Sequence, residues 1–170
     1  LAVTATDPDS VASASSLNMT SIPFDSGAEF RYGRLRLNNA NGPQFTPLVV
    51  PLETQHWSGS SFVTNSADHC TGIGAVNIQL DDYKSNLAAC ETSLTVGALA
   101  SGRSAVFLSA PGKGNEGSAR LTAPLESSVA GPTTCIAGAS TPVSGANLMH
   151  LQGNWSVPTF TQNPASRATF

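Results

Sequence analysis

Charge, aromatic side chains and long apolar runs are all scarce in this chain of 170 residues. Charged residues make up 11% of the sequence and the formal net charge is −3, whereas an average soluble domain is about 25% charged. Because no basic surplus exists to neutralise phosphates, nucleic acid is not an expected partner. No apolar run approaches the roughly 20 residues that a membrane-spanning helix needs.

An initiator methionine and the basic region of a signal peptide are also missing, since the sequence begins at Leu1. This start suggests a mature product or a piece of a larger protein. The weakly patterned residues 1–23 are expected to form an N-terminal segment or linker. We predict a single folded domain over residues 24–170, a length that buries roughly 70% of the unfolded surface.

Cysteine is sparse and odd in number, with Cys70, Cys90 and Cys135 and no CxxC spacing. A structural zinc site needs about four convergent ligands and is not expected. For an extracellular protein, the sequence favours one disulfide and one free thiol, and we predict the bond Cys70–Cys90. Cys90–Cys135 is the main alternative, and three reduced, buried cysteines are another.

Alternation of apolar and polar residues dominates from residue 24 onward, with turn residues every 8–12 positions. Apolar residues alternate in several short segments, at 48–52, 76–80, 94–98, 106–110 and 121–125. Many short alternating strands, with 15 glycines and 11 prolines between them, predict an all-β antiparallel sandwich, Ig-like or jelly-roll-like, with little helix. One or two helical turns are considered for residues 83–90.

The segment Phe30–Thr71 is the most distinctive part of the chain and predicts three strands and two turns. A change in the parity of its apolar residues at Gly33 suggests a β-bulge. Arg31, Arg34 and Arg36 are then expected on one strand face, where guanidinium groups can bind carboxylates or an anionic sugar. The alternative is that they pair with acids such as Glu29 or Glu53 on neighbouring strands.

Aromatic residues provide a second candidate surface, since Trp57 and Trp155, with Tyr32 and Phe62, can form a platform on which a sugar stacks. Aromatic residues are only 6% of the chain, so the alternative is that they fill the core. The predicted ligand-binding residues are thus the three arginines together with Trp57 and Trp155.

Catalytic and cofactor motifs are not found in the sequence. There is no G-x-S-x-G elbow, and the Gly112–Gly117 segment lacks the spacing of a phosphate-binding loop, so a glycine-rich hairpin loop is the simpler interpretation. Asp81 and Asp82 form a small acidic pair without a calcium-binding pattern. We therefore predict no enzyme activity, no cofactor and no metal, with a glycan hydrolase as a minor alternative that would require paired carboxylates in a cleft.

Several segments resemble one bacterial family: FRYGRLRLNNANG from Phe30, PLVVPLETQHWSGSSFVTN from Pro47, DHCT from Asp68, LSAPGKGNEGS from Leu108 and the final NPASRATF. Together they are similar to a domain near the C-terminus of MSHA biogenesis protein MshQ-like surface proteins, which are associated with type IV pili. The resemblance covers most of residues 24–170. It implies an extracellular or cell-surface location in a Gram-negative bacterium and a non-catalytic role, and it provides no catalytic residues.

Two departures from this family bear on partners. The segment after Trp155 lacks the Asp/Gly-rich stretch of the relatives, which argues against inferring a calcium site. The relatives also continue beyond the motif that ends at Phe170, so a strand starting at Arg167 is expected to leave an open sheet edge. The resulting hypothesis is a structural or adhesive module that contacts pilus or cell-surface proteins, or copies of itself, to form a filament. A carbohydrate-binding module with a glycan partner is the alternative.

Overall fold

The segments in which apolar and polar residues alternate form β-strands. The computed structural model describes residues 31–125, 131, 133–153 and 163–170. The segment 1–23, the boundary at residue 24 and Trp155 lie outside these residues. Within the described part, the strands are β1 Gly33–Leu37, β2 Ala40–Asn41, β3 Leu48–Trp57, β4 Phe62–Thr64, β5 Gln79–Ser85, β6 Leu94–Val96, β7 Arg103–Leu108, β8 Gly117–Thr122, β9 Thr133–Ile136, β10 Ala139–Pro142 and β11 Ala165–Thr169. Two short 3₁₀ helices span Ala75–Asn77 and Ala146–Leu151.

Two sheets face each other in the unit Arg31–Phe170. The first sheet has the order β1-β3-β7-β6, with β4 paired to the end of β3, and its pairings are antiparallel. The second has the order β2-β11-β8-β5, and β9 and β10 form a separate antiparallel hairpin. The predicted all-β sandwich is therefore confirmed. No helix in the described part is long and apolar enough to cross a membrane.

The core lies between the two sheets and is built from the alternate residues of each strand. Leu35, Val50 and Val106 come from the first sheet and Leu121 and Ala168 from the second, and all five are 0% exposed. Fully burying a leucine or valine side chain contributes about 1.5–3 kcal/mol. The remaining residues of the same strands must consequently face away from the core.

Strand β1 corrects the predicted bulge at Gly33. The β1–β3 ladder runs without interruption from Gly33↔His56 to Leu37↔Leu52. Tyr32 is 53% exposed, so it points away from the core, on the opposite side from Leu35. The parity change in the sequence reflects an exposed tyrosine and not an extra residue in the strand.

Two further sequence predictions are wrong. Residues 83–90 form no helix, because β5 continues to Ser85 and a turn follows it. The strand at Arg167 is not the open edge strand that was expected, because β11 lies between β8 and β2, although β2 covers only its last two residues. It pairs antiparallel with β8 over all five residues and parallel with β2 at Ala168 and Thr169. The end of the strand that was expected to be open is therefore paired, and backbone groups are left without a strand partner only at its start.

The disulfide joins Cys90 to Cys135, with a Cα–Cα distance of 5.2 Å, and Cys70 is free and exposed. The predicted bond Cys70–Cys90 is therefore wrong. Cys135 lies in β9 and belongs to the core cluster, whereas Cys70 lies in the exposed loop that follows β4. The bond fastens the β9–β10 hairpin to the loop between β5 and β6.

The loop after β4 is folded around the carboxylate of Asp68. The Oδ1 atom accepts the backbone N–H groups of Thr71 at 3.0 Å and Cys70 at 3.3 Å, and Oδ2 accepts the Thr71 hydroxyl at 2.7 Å. Although burial acts to raise the pKa of Asp68, these hydrogen bonds outweigh it and the pKa lies below its ordinary value. Gly102, just before β7, holds the loop from the other side, since its N–H donates to the Asp68 carbonyl at 2.9 Å. It has a φ of +73, and a Cβ there would lie 2.4 Å from the Asn65 carbonyl oxygen.

Reduction of the disulfide is predicted to lower the free energy of unfolding by about 4 kcal/mol on the chain-entropy model, since the bond spans 45 residues. Urea unfolding of the wild type and of Cys135→Ser, with and without reductant, measures this change. Cys70→Ser is the matched control and should unfold like the wild type while keeping its sensitivity to reductant. Recovery of a peptide linking Cys70 to Cys90 from a non-reducing digest would contradict the assignment.

Asp68→Asn is predicted to lower the free energy of unfolding at pH 7 by about 1–3 kcal/mol, because the charged acceptor of two backbone N–H groups and one hydroxyl is lost. Since the folded-state pKa of Asp68 is depressed, its contribution is present above the unfolded pKa of about 3.9 and is lost as the pH falls through the lower folded value. Urea unfolding from pH 7 to pH 3 should show the two proteins converging. The exposed control Glu116→Gln should change little, and a constant difference across this range would refute the assignment.

Candidate functional site

The outer face of the first sheet carries most of the predicted binding residues. In the β1–β3 ladder, Arg34 lies opposite Gln55 and Arg36 lies opposite Glu53. Just before the start of β1, the Tyr32 carbonyl accepts the N–H of Trp57 at 2.9 Å. Because alternate residues share a face, all of these side chains lie on the side away from the core.

An aromatic cluster forms at one end of this face around Phe62. Its ring centroid lies 5.8 Å from that of Tyr32 and 5.3 Å from that of Trp57. The guanidinium carbon of Arg34 lies over the Phe62 ring, 4.0 Å from its centroid, which is cation–π geometry. Tyr32 and Trp57 are 53% and 44% exposed, so ring surface is available to a ligand. We call Tyr32, Arg34, Arg36, Trp57 and Phe62 the aromatic–arginine face.

Glu53 organises the polar part of the face. Its Oε1 atom accepts Gln55 Nε2 at 3.0 Å and Arg36 Nη1 at 3.3 Å, and its Oε2 atom accepts the Thr64 hydroxyl at 2.9 Å. Gln55 in turn accepts Arg34 Nε at 2.7 Å. This chain of hydrogen bonds fixes the guanidinium of Arg34 over Phe62 and determines where Arg36 can reach.

The local electrostatics favour anions even though the whole chain is negative. Burial lowers the pKa of Arg34, the charge of Arg36 lowers it further, and Glu53 acts in the opposite direction. Arg103 of β7 also lies opposite Glu53. The charges of Arg34 and Arg36 thus outnumber the single carboxylate of Glu53 in this network, which leaves a surplus of positive charge at the surface.

Arg31 does not share this arrangement. It precedes β1, and alternation places it out of phase with Arg34 and Arg36. Its Nη1 atom donates to Asn65 Oδ1 at 2.6 Å, in the loop that follows β4. The structure therefore gathers two of the three predicted arginines with Trp57 on one face, and it adds Gln55, which the sequence did not single out.

The other motifs take structural positions. Asp81 accepts both Nε and Nη2 of Arg120, at 2.8 and 3.1 Å, and Asp82 pairs with Arg167 and Lys84. The segment Gly112–Gly117 connects β7 in one sheet to β8 in the other, so it is not a hairpin loop. Within the described residues, no group of three or more His, Cys, Asp or Glu side chains is arranged to hold a metal.

A comparison with protein families gives one match. The model described as DUF6701, fourth domain, matches residues 31–170, the same range as the compact unit. Its description makes no reference to MshQ. No curated protein and no solved structure matches the chain.

Glu53→Gln is predicted to lower the free energy of unfolding by about 1–2 kcal/mol, because the network loses its charged acceptor while Gln55 stays buried. Urea unfolding at neutral pH measures the effect. Arg36→Gln is the matched control. Its side chain is 45% exposed, so its removal should cost less than about 1 kcal/mol. An equal effect of the two substitutions would show that Glu53 is not the centre of the network.

Proposed function

This chain belongs to the DUF6701 family as its fourth domain, and from this we propose that it is a non-catalytic extracellular module of a bacterial surface protein, with a structural or adhesive role. The observation that carries the proposal is the disulfide-bonded β-sandwich. Disulfides form and persist in oxidising compartments such as the periplasm and the cell surface. The acidic side chains in the described part are engaged in ion pairs and hydrogen bonds that stabilise the fold, which suits a structural role.

The finer proposal is that the parent protein is MshQ-like and associated with type IV pili. Its support is the sequence resemblance in the segments that begin at Phe30, Pro47 and Leu108. The numbering of the domain in the family description also suits a protein built from several consecutive modules. In such a protein, each module adds length and exposes its outer faces to partners.

Antibodies raised against the purified chain test the location and the association. On intact cells of the source bacterium they are expected to label the surface, and the antigen should remain with pili that are sheared from the cells. Cells lacking the pilus are the control and should lose the sheared antigen. Labelling that appears only after permeabilisation would overturn the proposal.

Carbohydrate binding is the second candidate function, and the exposed rings of Tyr32 and Trp57 around Phe62 favour it. Sugars stack their C–H faces on such rings, while neighbouring guanidinium and amide groups donate to hydroxyls. Trp57→Ala is expected to abolish binding on a glycan array. Phe107→Ala is the matched control, because Phe107 is 43% exposed in the neighbouring strand β7 and lies outside the cluster. Wild-type protein that binds no glycan at millimolar concentration would remove this candidate.

A further inference from the structure

A polar groove opens where the two sheets meet, between the end of β1 and the start of β11. Its volume is about 430 Å³, within the range of about 300–1,000 Å³ that is typical of small-molecule sites. Its walls come from both sheets and are formed by Arg36, Leu37, Asn38, Asn39, Asn163, Pro164 and Ala165. We call it the inter-sheet groove. It shares Arg36 with the aromatic–arginine face and otherwise has its own residues.

Two asparagine amides in the groove have fixed orientations. Asn39 Oδ1 accepts the backbone N–H of Arg167 at 2.8 Å, and Asn163 Oδ1 accepts the backbone N–H of Leu125 at 3.0 Å. Because each oxygen is held by a backbone donor, the amide cannot flip without losing that bond. The NH₂ group of each side chain is therefore the part left for a ligand.

The backbone of β11 adds a donor. Phe170 exchanges two hydrogen bonds with Gly117 of β8, and the Pro164 carbonyl accepts the N–H of Ala123. In an antiparallel ladder these bonds alternate, so the even-numbered residues bond to β8 and Ala165 turns its N–H and C=O to the other side. Strand β2 starts opposite Ala168, which leaves the backbone of Ala165 facing the groove.

Arg36 provides the charge at the other wall. Its contact with Glu53 is 3.3 Å long and its side chain is 45% exposed. Glu53 also accepts from Gln55 and Thr64, so it only partly neutralises the guanidinium. The groove thus presents one cation, two amide NH₂ groups and a backbone N–H. The apolar residues Leu37 and Pro164 complete its lining.

From this convergence of donors we infer that the inter-sheet groove binds a sugar that carries a carboxylate, such as a hexuronate residue. The carboxylate lies against Arg36 and the asparagine amides, and the ring hydroxyls face the remaining polar lining at Asn38 and the N–H of Ala165. Hydrogen bonds from guanidinium and N–H donors to a carboxylate are roughly twice as strong as those between neutral groups. The site is separate from the stacking platform at Trp57, so either can fail without the other.

Titration of the ¹⁵N-labelled full chain with sodium glucuronate, followed by two-dimensional NMR, tests the inference. Saturable shifts are expected in the side-chain NH₂ signals of Asn39 and Asn163 and in the amide of Ala165. Glucose at the same concentrations should leave these signals in place. Sodium acetate is expected to shift them with weaker affinity, because it has the carboxylate without the ring.

Two substitutions make the test specific. Asn163→Asp and Asn39→Asp each keep the oxygen that accepts a backbone N–H, and each replaces the NH₂ donor with an anionic oxygen. Each should weaken glucuronate binding roughly tenfold or more while leaving the urea unfolding midpoint nearly unchanged. Asn65→Asp is the matched control. It makes the same charge change at a residue whose Oδ1 accepts from Arg31, outside the groove.

Three outcomes would overturn the inference. These are shifts of equal size with glucose, full glucuronate affinity in Asn163→Asp, and an absence of shifts at the three groove signals. The alternative ligand is an extended peptide that adds a strand beside the start of β11, because Ala165 exposes backbone groups at a sheet edge. If a terminally blocked, extended peptide without carboxylates shifts β11 and β2 while glucuronate does not, the groove binds a strand and the acidic-sugar assignment is wrong.

Discussion

Strand β3 imposes the constraint on which the rest of the structure depends. It is ten residues long and pairs with β1 on one side and with β7 and β4 on the other. Leu48, Val50 and Leu52 are buried in the core, so Glu53, Gln55 and Trp57 must face outward. A slip of one residue would exchange the two sets. Burial of aliphatic side chains therefore determines which polar and aromatic groups stand together on the surface.

The outward-facing side chains are held in fixed positions because several donors share one carboxylate. Glu53 accepts from Arg36, Gln55 and Thr64, and through Gln55 it also positions Arg34. Fixed geometry of this kind is what a recognition surface requires, since a ligand then loses less binding free energy in ordering the protein. The same sharing leaves the arginines incompletely neutralised, which gives an overall acidic chain a locally basic face and a basic wall in the inter-sheet groove.

The fold class could be predicted from the sequence because alternation and turn residues are local signals. Leu48, Val50 and Leu52 alternate in the sequence and are buried in the structure. Pairing over long distances could not be predicted in the same way. The choice between Cys70 and Cys135 as the partner of Cys90 depends on which loop meets which strand. Cys70 is nearer to Cys90 in the sequence than Cys135 is, but Cys135 is the one that lies next to Cys90 in the structure.

The candidate site was predictable in its residues and not in its arrangement. Arg34, Arg36 and Trp57 can be recognised by residue type, but the change of parity at Gly33 suggested a bulge that the uninterrupted β1–β3 ladder does not contain. Gln55 was overlooked, although its place opposite Arg34 follows once β1 and β3 are aligned. The groove at Asn39 and Asn163 had no sequence signal, since its walls are 124 positions apart in the numbering and meet only through the second sheet.

That separation also has a consequence for the order in which the protein can be assembled. Strand β2 is held in its sheet by β11, the last of the described strands in chain order, and the bond between Arg167 and Asn39 spans 128 positions. The entropy cost of closing a loop over such a distance arises before the stabilising contacts form, and this slows folding. Until β11 has been synthesised, the second sheet lacks the strand that joins β2 to β8.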